Sequence, residues 1–494
     1  MSFPAALAYY SIRRKQEYIY KTNHIPEIIG ASQLIADAFH YFTHSPRFVH
    51  AGESFSLPWA IDKLRQDTID GILVYVGGGN LMIVYANKQT ALAHNRIFSK
   101  TLLDTAHTLT PLCAVVDIDL EQDNYAADYA ALMQEVNRVK LSAPPLTATQ
   151  TLPFTATDRI TGMPFAGDTM PFVTDEALAK QQKYAQILQS GNRIDTNMLL
   201  NERHADTMLA VVYADGNNIG KKIETALQGK IRYAACITAL RNISTQIHTH
   251  LVDEGLAAID RKLQQLSAQN PSKKHLYNRQ RIIGGGDEVT FICSAACAAQ
   301  LTKTYLDTVN RDGYTASAGI ALFFGGLPFY RAYKIAEAAC ENAKERAKHY
   351  METAGHPHAE ASFIDFEHIQ GHAGDTLENM RAQYVARTAR PYCVTVFENG
   401  KNITDAVCHE NAIPQFDTLI ALANALPLPH SVVQEFGLSA LGSLTEAKMM
   451  LERLCTGHNI DRKKIMSLAP ISLLYRMLYD ITEVYELWFT QEVQ

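Results

Sequence analysis

Three carboxylates held in two short motifs could do chemistry together. Tyr213-Ala214-Asp215-Gly216-Asn217-Asn218-Ile219-Gly220 places one acid where an apolar run gives way to helical sequence. Gly284-Gly285-Gly286-Asp287-Glu288 places two more in a glycine turn. Asp215, Asp287 and Glu288 gathered at one spot would repel unless a cation joined them, and hard oxygen ligands suit Mg²⁺ or Mn²⁺. Gly216, Gly220, Gly285 and Gly286 would let a bulky polyphosphate come close to the backbone. The N–H groups from Gly216 through Asn217 and Asn218 to Gly220, at a helix start, can donate to phosphate oxygens. Lys344 could neutralise the outer phosphates as a point charge, or could simply lie on a solvated helix face. This set fits metal-assisted nucleotidyl transfer. One ion would lower the pKa of an attacking 3′-hydroxyl, and a second would steady the departing pyrophosphate. GGGDE alone reads more readily as a solvated hairpin turn; the aspartate motif upstream is what favours a site.

The elements that must position these residues occur twice. Residues 71–86, GILVYVGGGNLMIVYA, echo residues 280–293, QRIIGGGDEVTFIC: each is a β-type run, a glycine turn and a second β-type run. Each hairpin follows a strand leading into helical sequence: LAYYSI before IPEIIGASQLIADAF, and MLAVVYADGNNIG before residues from Lys221. Each is followed by a helix and another strand, CAVVDIDL in one case and YTASAGIALFF in the other. The order β-α-β-β-α-β is that of a ferredoxin-like palm. The chain therefore reads as α+β, with two ferredoxin-like palm domains and a helical C-terminal domain. The expected divisions are 1–140 (first palm, lacking the acids), 141–200 (Pro/Thr-rich linker and helical insert), 201–377 (second palm) and 378–494 (helical).

Composition agrees and excludes other classes. The 494 residues suggest about three domains. A net charge of −6 argues against a protein that coats long nucleic acid, so any polyanion site must be local. No apolar run reaches the length of a membrane span, and the start lacks the pattern of a signal peptide, so a cytoplasmic protein with no membrane partner is expected. Eight cysteines without a CxxC pair make neither a disulfide framework nor a zinc site. Cys293 and Cys297 read as buried small hydrophobes.

YADGNNIG and GGGDE, with EYIYKTNHIPEIIGASQLI near the start and RPYCV at 391–395, resemble the polymerase/cyclase large subunit of type III CRISPR effector complexes. The resemblance implies two palms and a helical C-terminal region, the second palm being related to GGDEF and adenylate cyclase domains and making cyclic oligoadenylate from ATP. It implies Asp215, Asp287 and Glu288 as metal-binding acids, Lys344 as a triphosphate contact, and Gly30-Ala31-Ser32 as a motif that puts Ser32 beside a second nucleotide. As partners it implies ATP, guide or target RNA and small effector subunits. The turn ends in Glu288 where the family has a second Asp, as in GGDEF enzymes. No His-Asp dipeptide occurs and the palm begins near Met1, so a form without the family's HD nuclease is expected.

The first unit has Gly77-Gly78-Gly79-Asn80 as its turn, and the place matching Asp215 falls near Ile12-Arg13, with no carboxylate. It would hold an acceptor nucleotide or be purely structural. Asp117 and Asp119 read as edge or turn residues and His248-Thr249-His250 as a solvated helix face. Lys273, Lys274, Arg279 and Arg281 read as a surface loop or a contact with RNA or a partner. Leu473, Leu474, Met477, Leu478, Ile481 and Val484 make a helical core face. A GTP-using cyclic dinucleotide synthase and a non-catalytic nucleotide- or RNA-binding scaffold remain the alternatives, and a homo-oligomer stays open.

Overall fold

The computed structural model describes residues 3–51, 55–66, 68–77, 79–142, 155–159, 162–167, 172–189, 208–311, 313–324, 327–370, 376–382, 387–426, 432, 435, 444–457 and 460–488. The first β-α-β-β-α-β unit runs through β1 (Pro4–Arg13), β2 (Phe48–His50), β3 (Gly71–Gly77), β4 (Asn80–Tyr85) and β5 (Thr110–Asp119), joined in the order β2-β3-β4-β1-β5. The second runs through β6 (Met208–Gly216), β7 (Arg279–Gly285), β8 (Glu288–Ser294) and β9 (Ala316–Phe324). Three more strands, β10 (Glu360–His368), β11 (Tyr392–Glu398) and β12 (Lys401–Asn402), extend it in the order β12-β11-β10-β9-β6-β8-β7. In both sheets the opening strand lies between the second hairpin strand and the closing strand, which is the ferredoxin-like arrangement. The fold is α+β with two palms, as the repeated pattern indicates. One difference lies downstream: the region after residue 378 is not wholly helical, because the β-branched and aromatic run YCVTVFE pairs antiparallel with β10.

The chain divides into two compact units. One comprises Met1–Arg193, Asn218–Thr249 and Gly285–Asp287; the other comprises Ile194–Asn217, His250–Gly284 and Glu288–Gln494. In the first, Leu7, Ile72, Val84 and Leu112 of the sheet are buried with Leu132 and Val136 of the Tyr125–Ser142 helix and with Tyr233 and Ile237 of the Tyr233–Ile247 helix. Tyr233 is fixed there by its N–H on Asp123 and its hydroxyl on Asp128. Gly30, in the Ile25–Ala36 helix, lets the Asp175–Gln189 helix come close, since a Cβ at Gly30 would collide with the Lys180 carbonyl. Lys180 is buried and pairs with Glu176 at 2.6 Å, while its ammonium also donates to the Tyr18 carbonyl. The Pro/Thr-rich linker residues 143–154, the end of the insert at 190–200 and the expected start of the second palm at 201–207 lie outside the described residues.

In the second unit β6 and β9 are buried almost throughout, as central strands covered on both faces must be. The Phe329–Thr353 helix seats on β9 through Gly319, whose missing Cβ would strike the Ala336 carbonyl oxygen and the Cys340 N–H. The Ile471–Trp488 helix buries Leu473, Leu474, Met477, Leu478, Ile481 and Val484, the stripe its spacing predicts. From it Asp480 accepts from Thr388 Oγ1, the Ala389 N–H, Arg390 Nε and the Tyr392 hydroxyl, all buried. All eight cysteines are free, and Cys293 and Cys297 are buried as expected. No helix among the described residues is long and apolar enough to cross a membrane.

Candidate active site

β6 and β8 are antiparallel neighbours in a register that sets Asp215 directly opposite Glu288. Residues so placed share a face of the sheet with Cβ atoms about 4.5–5.5 Å apart, and like charges there destabilise the pair. Lys344, projecting from the helix seated by Gly319, relieves this: its ammonium lies 2.5 Å from Asp215 Oδ2 and 3.3 Å from the Gly216 carbonyl. Burial alone would lower the Lys344 pKa, but the charge of Asp215 outweighs it and the net shift is upward. Tyr213, two residues back on β6, is pushed far up by burial and then by the charges of Glu288 and Asp215. Its hydroxyl therefore stays protonated beside the acids. Thr290 Oγ1 donates to Glu288 at 3.3 Å.

Asn217 is a strut. Its N–H donates to the Thr315 carbonyl and its Nδ2 to Thr315 Oγ1 and the Ala361 carbonyl, which fixes the exit of β6. The backbone N–H expected to meet phosphate is thus already bonded, while the buried Oδ1 has no hydrogen-bond partner. Asn218 follows in the left-handed region, φ 56°, and caps the Ile219–Leu227 helix. Asparagine tolerates that conformation better than most residues.

Within the first compact unit Gly220, Gly285, Gly286 and Asp287 come together on a cavity of about 680 Å³. Gly220 and Gly285 have open space where a side chain would stand, so a ligand can reach their backbone. The other walls are Gly77, Asn80 and Met82, the aliphatic side chains of Ile219, Ile223, Leu227, Leu240, Ile243 and Ile247, and three tyrosines, Tyr9, Tyr75 and Tyr129. Tyr75 hydrogen-bonds to Ser244, and its pKa is raised by burial and by the charge of Asp287. An apolar, aromatic cavity with a few polar groups at one side has the character of a site for a flat heterocycle. Ser32 is half-buried on the Ile25–Ala36 helix and is not among the described lining residues, and its neighbour Gly30 serves helix packing.

Several placements depart from the sequence reading. The first-palm counterpart of Asp215 is Ser11, since Ser11 faces Asn80 across β1 and β4 as Asp215 faces Glu288. Ser11 Oγ donates to Asn80 Oδ1 at 2.7 Å, a neutral pair in place of two acids. His250 is no solvated residue: it is buried, with Nδ1 against Glu254 and Nε2 donating to the Val309 carbonyl. His248 lines the cavity. Tyr9, Tyr75, Ser244 and His248 were not readable as site residues. Only the alternation of β1 hints at them, by turning Tyr9 and Ser11 to one face. Asp117 pairs with Lys88, and Asp119 accepts from the Phe3 and Glu121 N–H groups, as edge and turn residues do. Arg279 pairs with Asp260.

Among the described residues no group of three or more His, Cys, Asp or Glu side chains is disposed to hold a metal ion. The donor chemistry nonetheless suits a divalent cation. Asp215 and Glu288 offer hard oxygens on one face, and Lys344 already supplies a positive charge there.

Residues 208–351 match the sequence model of the family described as Cas10/Cmr2, second palm domain. No curated protein matches the chain. Among solved structures, the chain is similar to a Csm1–Csm4 cassette in complex with cA4 (12% identity, covering 98% of this chain and 70% of that chain, TM-score 0.46). It is also similar to the cassette with one ATP (12% identity, 98% and 70%, TM-score 0.48) and to the apo cassette (12% identity, 97% and 69%, TM-score 0.48). The resemblance carried by YADGNNIG and GGGDE holds over the stretch that contains them: residues 208–351 match the second palm domain of the Cas10/Cmr2 family.

Proposed function

We propose that this Cas10-like chain is a metal-dependent nucleotidyltransferase that makes cyclic oligoadenylate from ATP in type III CRISPR defence. The observation that carries the reading is the opposed pair Asp215 and Glu288, compensated by Lys344, on a palm whose glycine turn also carries Asp287. Asp215, Glu288 and Asp287 would hold Mg²⁺ or Mn²⁺. Bound there, such ions lower the pKa of a 3′-hydroxyl and stabilise departing pyrophosphate. The chain's own part is positional. Lys344 pairs with Asp215 and can turn to the outer phosphates. Within the other compact unit, Gly220 and Gly285 leave open space at their backbone on a tyrosine-lined cavity suited to a flat heterocycle. Solved relatives contain Csm4, so a small effector subunit is the partner we infer, with guide or target RNA in the assembled complex.

A second reading, a cyclic dinucleotide synthase using GTP, draws on the Gly-Asp-Glu ending of the turn. Incubation with labelled ATP or GTP and Mn²⁺, with and without candidate RNA, separates the two. Pyrophosphate release from ATP, a cyclic adenylate product by mass spectrometry and loss of both in Asp287→Ala support the first. Release from GTP alone supports the second. No metal-dependent release from either would sink both, leaving a binding scaffold.

A further inference from the structure

Two pairs of cysteines in the second unit have their thiols in hydrogen-bond contact, Cys293 with Cys297 and Cys393 with Cys408. All four are buried, and a buried thiol with no route to solvent behaves as a small inert hydrophobe. The Cys293 pair fits that description. Burial raises the Cys293 thiol well above its ordinary value, and Cys297 Sγ donates to the Ser294 and Leu276 carbonyls at 3.4 and 3.7 Å.

The Cys393 pair is built differently. Cys393 lies on β11 and Cys408 on the Thr404–Asn411 helix, which is pinned to that strand at both ends. At its start the Val396 N–H donates to Thr404 Oγ1 and the Ile403 N–H to the Val396 carbonyl. Beyond its end the Ile413 N–H donates to the Cys408 carbonyl and the Cys393 N–H to the Pro414 carbonyl. Backbone thus keeps the two sulfurs together. Cys393 also lines a cavity of about 620 Å³ with Thr404, Gln415 and the exposed Asn402, Asp405 and Asp417, a wall to which neither Cys293 nor Cys297 belongs. Cys408 hydrogen-bonds to both Cys393 and Gln415, so it lies one side chain behind that opening. The two thiols differ in acidity as well. Burial, and then the S–H that Cys393 gives to Cys408, keep Cys393 protonated. The same bond lowers Cys408 below its ordinary 9.0, with burial and the charge of Asp405 opposing and Gln415 assisting. A more acidic thiol backed by a protonated one is the arrangement of an attacking and a resolving cysteine.

We propose that Cys393 and Cys408 are a hydroperoxide-responsive dithiol whose oxidation ties β11 to the helix that follows it through a disulfide. The Cys408 thiolate attacks the O–O bond and keeps one oxygen as a sulfenic acid, while the other leaves as hydroxide or alkoxide. The Cys393 sulfur then displaces the sulfenic oxygen, which departs as water with the Cys393 thiol proton. Together the two sulfurs lose two electrons and the peroxide gains them. None of the candidate active-site residues takes part, so the proposal stands apart from nucleotidyl transfer.

The test is peptide mapping of the full reduced chain after hydrogen peroxide, with alkylation in denaturant and tryptic cleavage. Cleavage after Lys401 puts Cys393 and Cys408 on separate peptides. A cross-link joining those peptides is expected, reversed by dithiothreitol, with two of the eight thiols lost to alkylation and Cys293 and Cys297 still alkylated. In Cys393→Ser the sulfenic acid has no resolving thiol, so dimedone labels Cys408. In Cys408→Ser both the cross-link and dimedone labelling of Cys393 are absent. A map without the Cys393–Cys408 link, a link between Cys293 and Cys297 in its place, no dimedone on Cys408 in Cys393→Ser, or dimedone on Cys393 in Cys408→Ser would each overturn the proposal. The map is made on the parent protein, so it does not depend on either variant folding. Pyrophosphate release is no part of the readout, so failure of the enzymatic reading would leave this one standing.

Discussion

Replacing Lys344 by Met removes the ammonium paired with Asp215, the acid that stands opposite Glu288. Asp215 and Lys344 side chains are 21% and 22% exposed, so the carboxylate left behind is mostly out of water. An unpaired charged group of that kind costs about 1.5–3 kcal/mol, and unrelieved repulsion from Glu288 across the strands adds up to about 1 kcal/mol. At about 2–4 °C per kcal/mol for a domain of this size, the melting temperature in EDTA falls by about 3–16 °C. Glu288→Gln removes the repulsion, so on that background the same substitution costs about 1 kcal/mol less. Mn²⁺ raises the melting temperature of Lys344→Met more than that of the parent, because the ion then supplies the missing charge. Thermal melts of the four proteins of the cycle, with EDTA or Mn²⁺, read all three effects. If Lys344→Met melts with the parent in EDTA, or if the two substitutions simply add, Lys344 does not hold the acids together and the argument fails.

Gly319→Ala should press its new Cβ on the Ala336 carbonyl and displace the helix that carries Lys344. A loss of about 1–3 kcal/mol is expected, measured by denaturant unfolding, with pyrophosphate release falling alongside. Acid should loosen the packing of the Asp175–Gln189 helix. Burial raises the Glu176 carboxyl, but Lys180, Lys21 and Thr108 outweigh it and hold it below its ordinary value of 4.5. Its contribution is therefore complete above about pH 4.5 and lost as pH falls through the folded value. Glu176→Gln should flatten that part of the stability–pH curve in urea titrations while costing about 3–5 kcal/mol at neutral pH, since Lys180 is left buried without its partner; an unchanged acid slope would count against the pairing.

Glycine punctuation made both palms legible. A glycine-rich turn between β-type runs fixes a hairpin, and Asn218 is one of the few residue types at home in the left-handed cap that follows Asp215. What escaped depends on contacts distant in sequence. The counterpart of Asp215 was placed one to two residues late, near Ile12-Arg13, because the end of an apolar run does not reveal cross-strand register; only pairing with β4 makes it Ser11. YCVTVFE is short and followed by helices, so nothing local says that it completes a sheet begun almost two hundred residues earlier. His250 was read by its polar neighbours, yet its burial comes from the Val309 carbonyl and from Glu254 one turn on. Gly30 invited a nucleotide role because it belongs to a motif, and the reason for a glycine there is a helix carried by residues 175–189. The cavity tyrosines gave no signal beyond alternation, since aromatic residues are as common in cores as in sites.

The Asp480 cluster sets an order on the synthesis of the second sheet. Arg390, wholly buried in the finished protein, leaves the ribosome 90 residues before the aspartate that neutralises it. At about 5–20 residues per second the wait is about 5–18 s. During that time Nη1 has its partners already made, the Phe366 carbonyl and Glu367 at 3.6 Å, but Nε lacks its acid, so β11 cannot settle against β10 with its native surroundings complete. Unlike the first sheet, whose strands are all delivered by residue 119, the second is closed late, by one of the last helices to arrive.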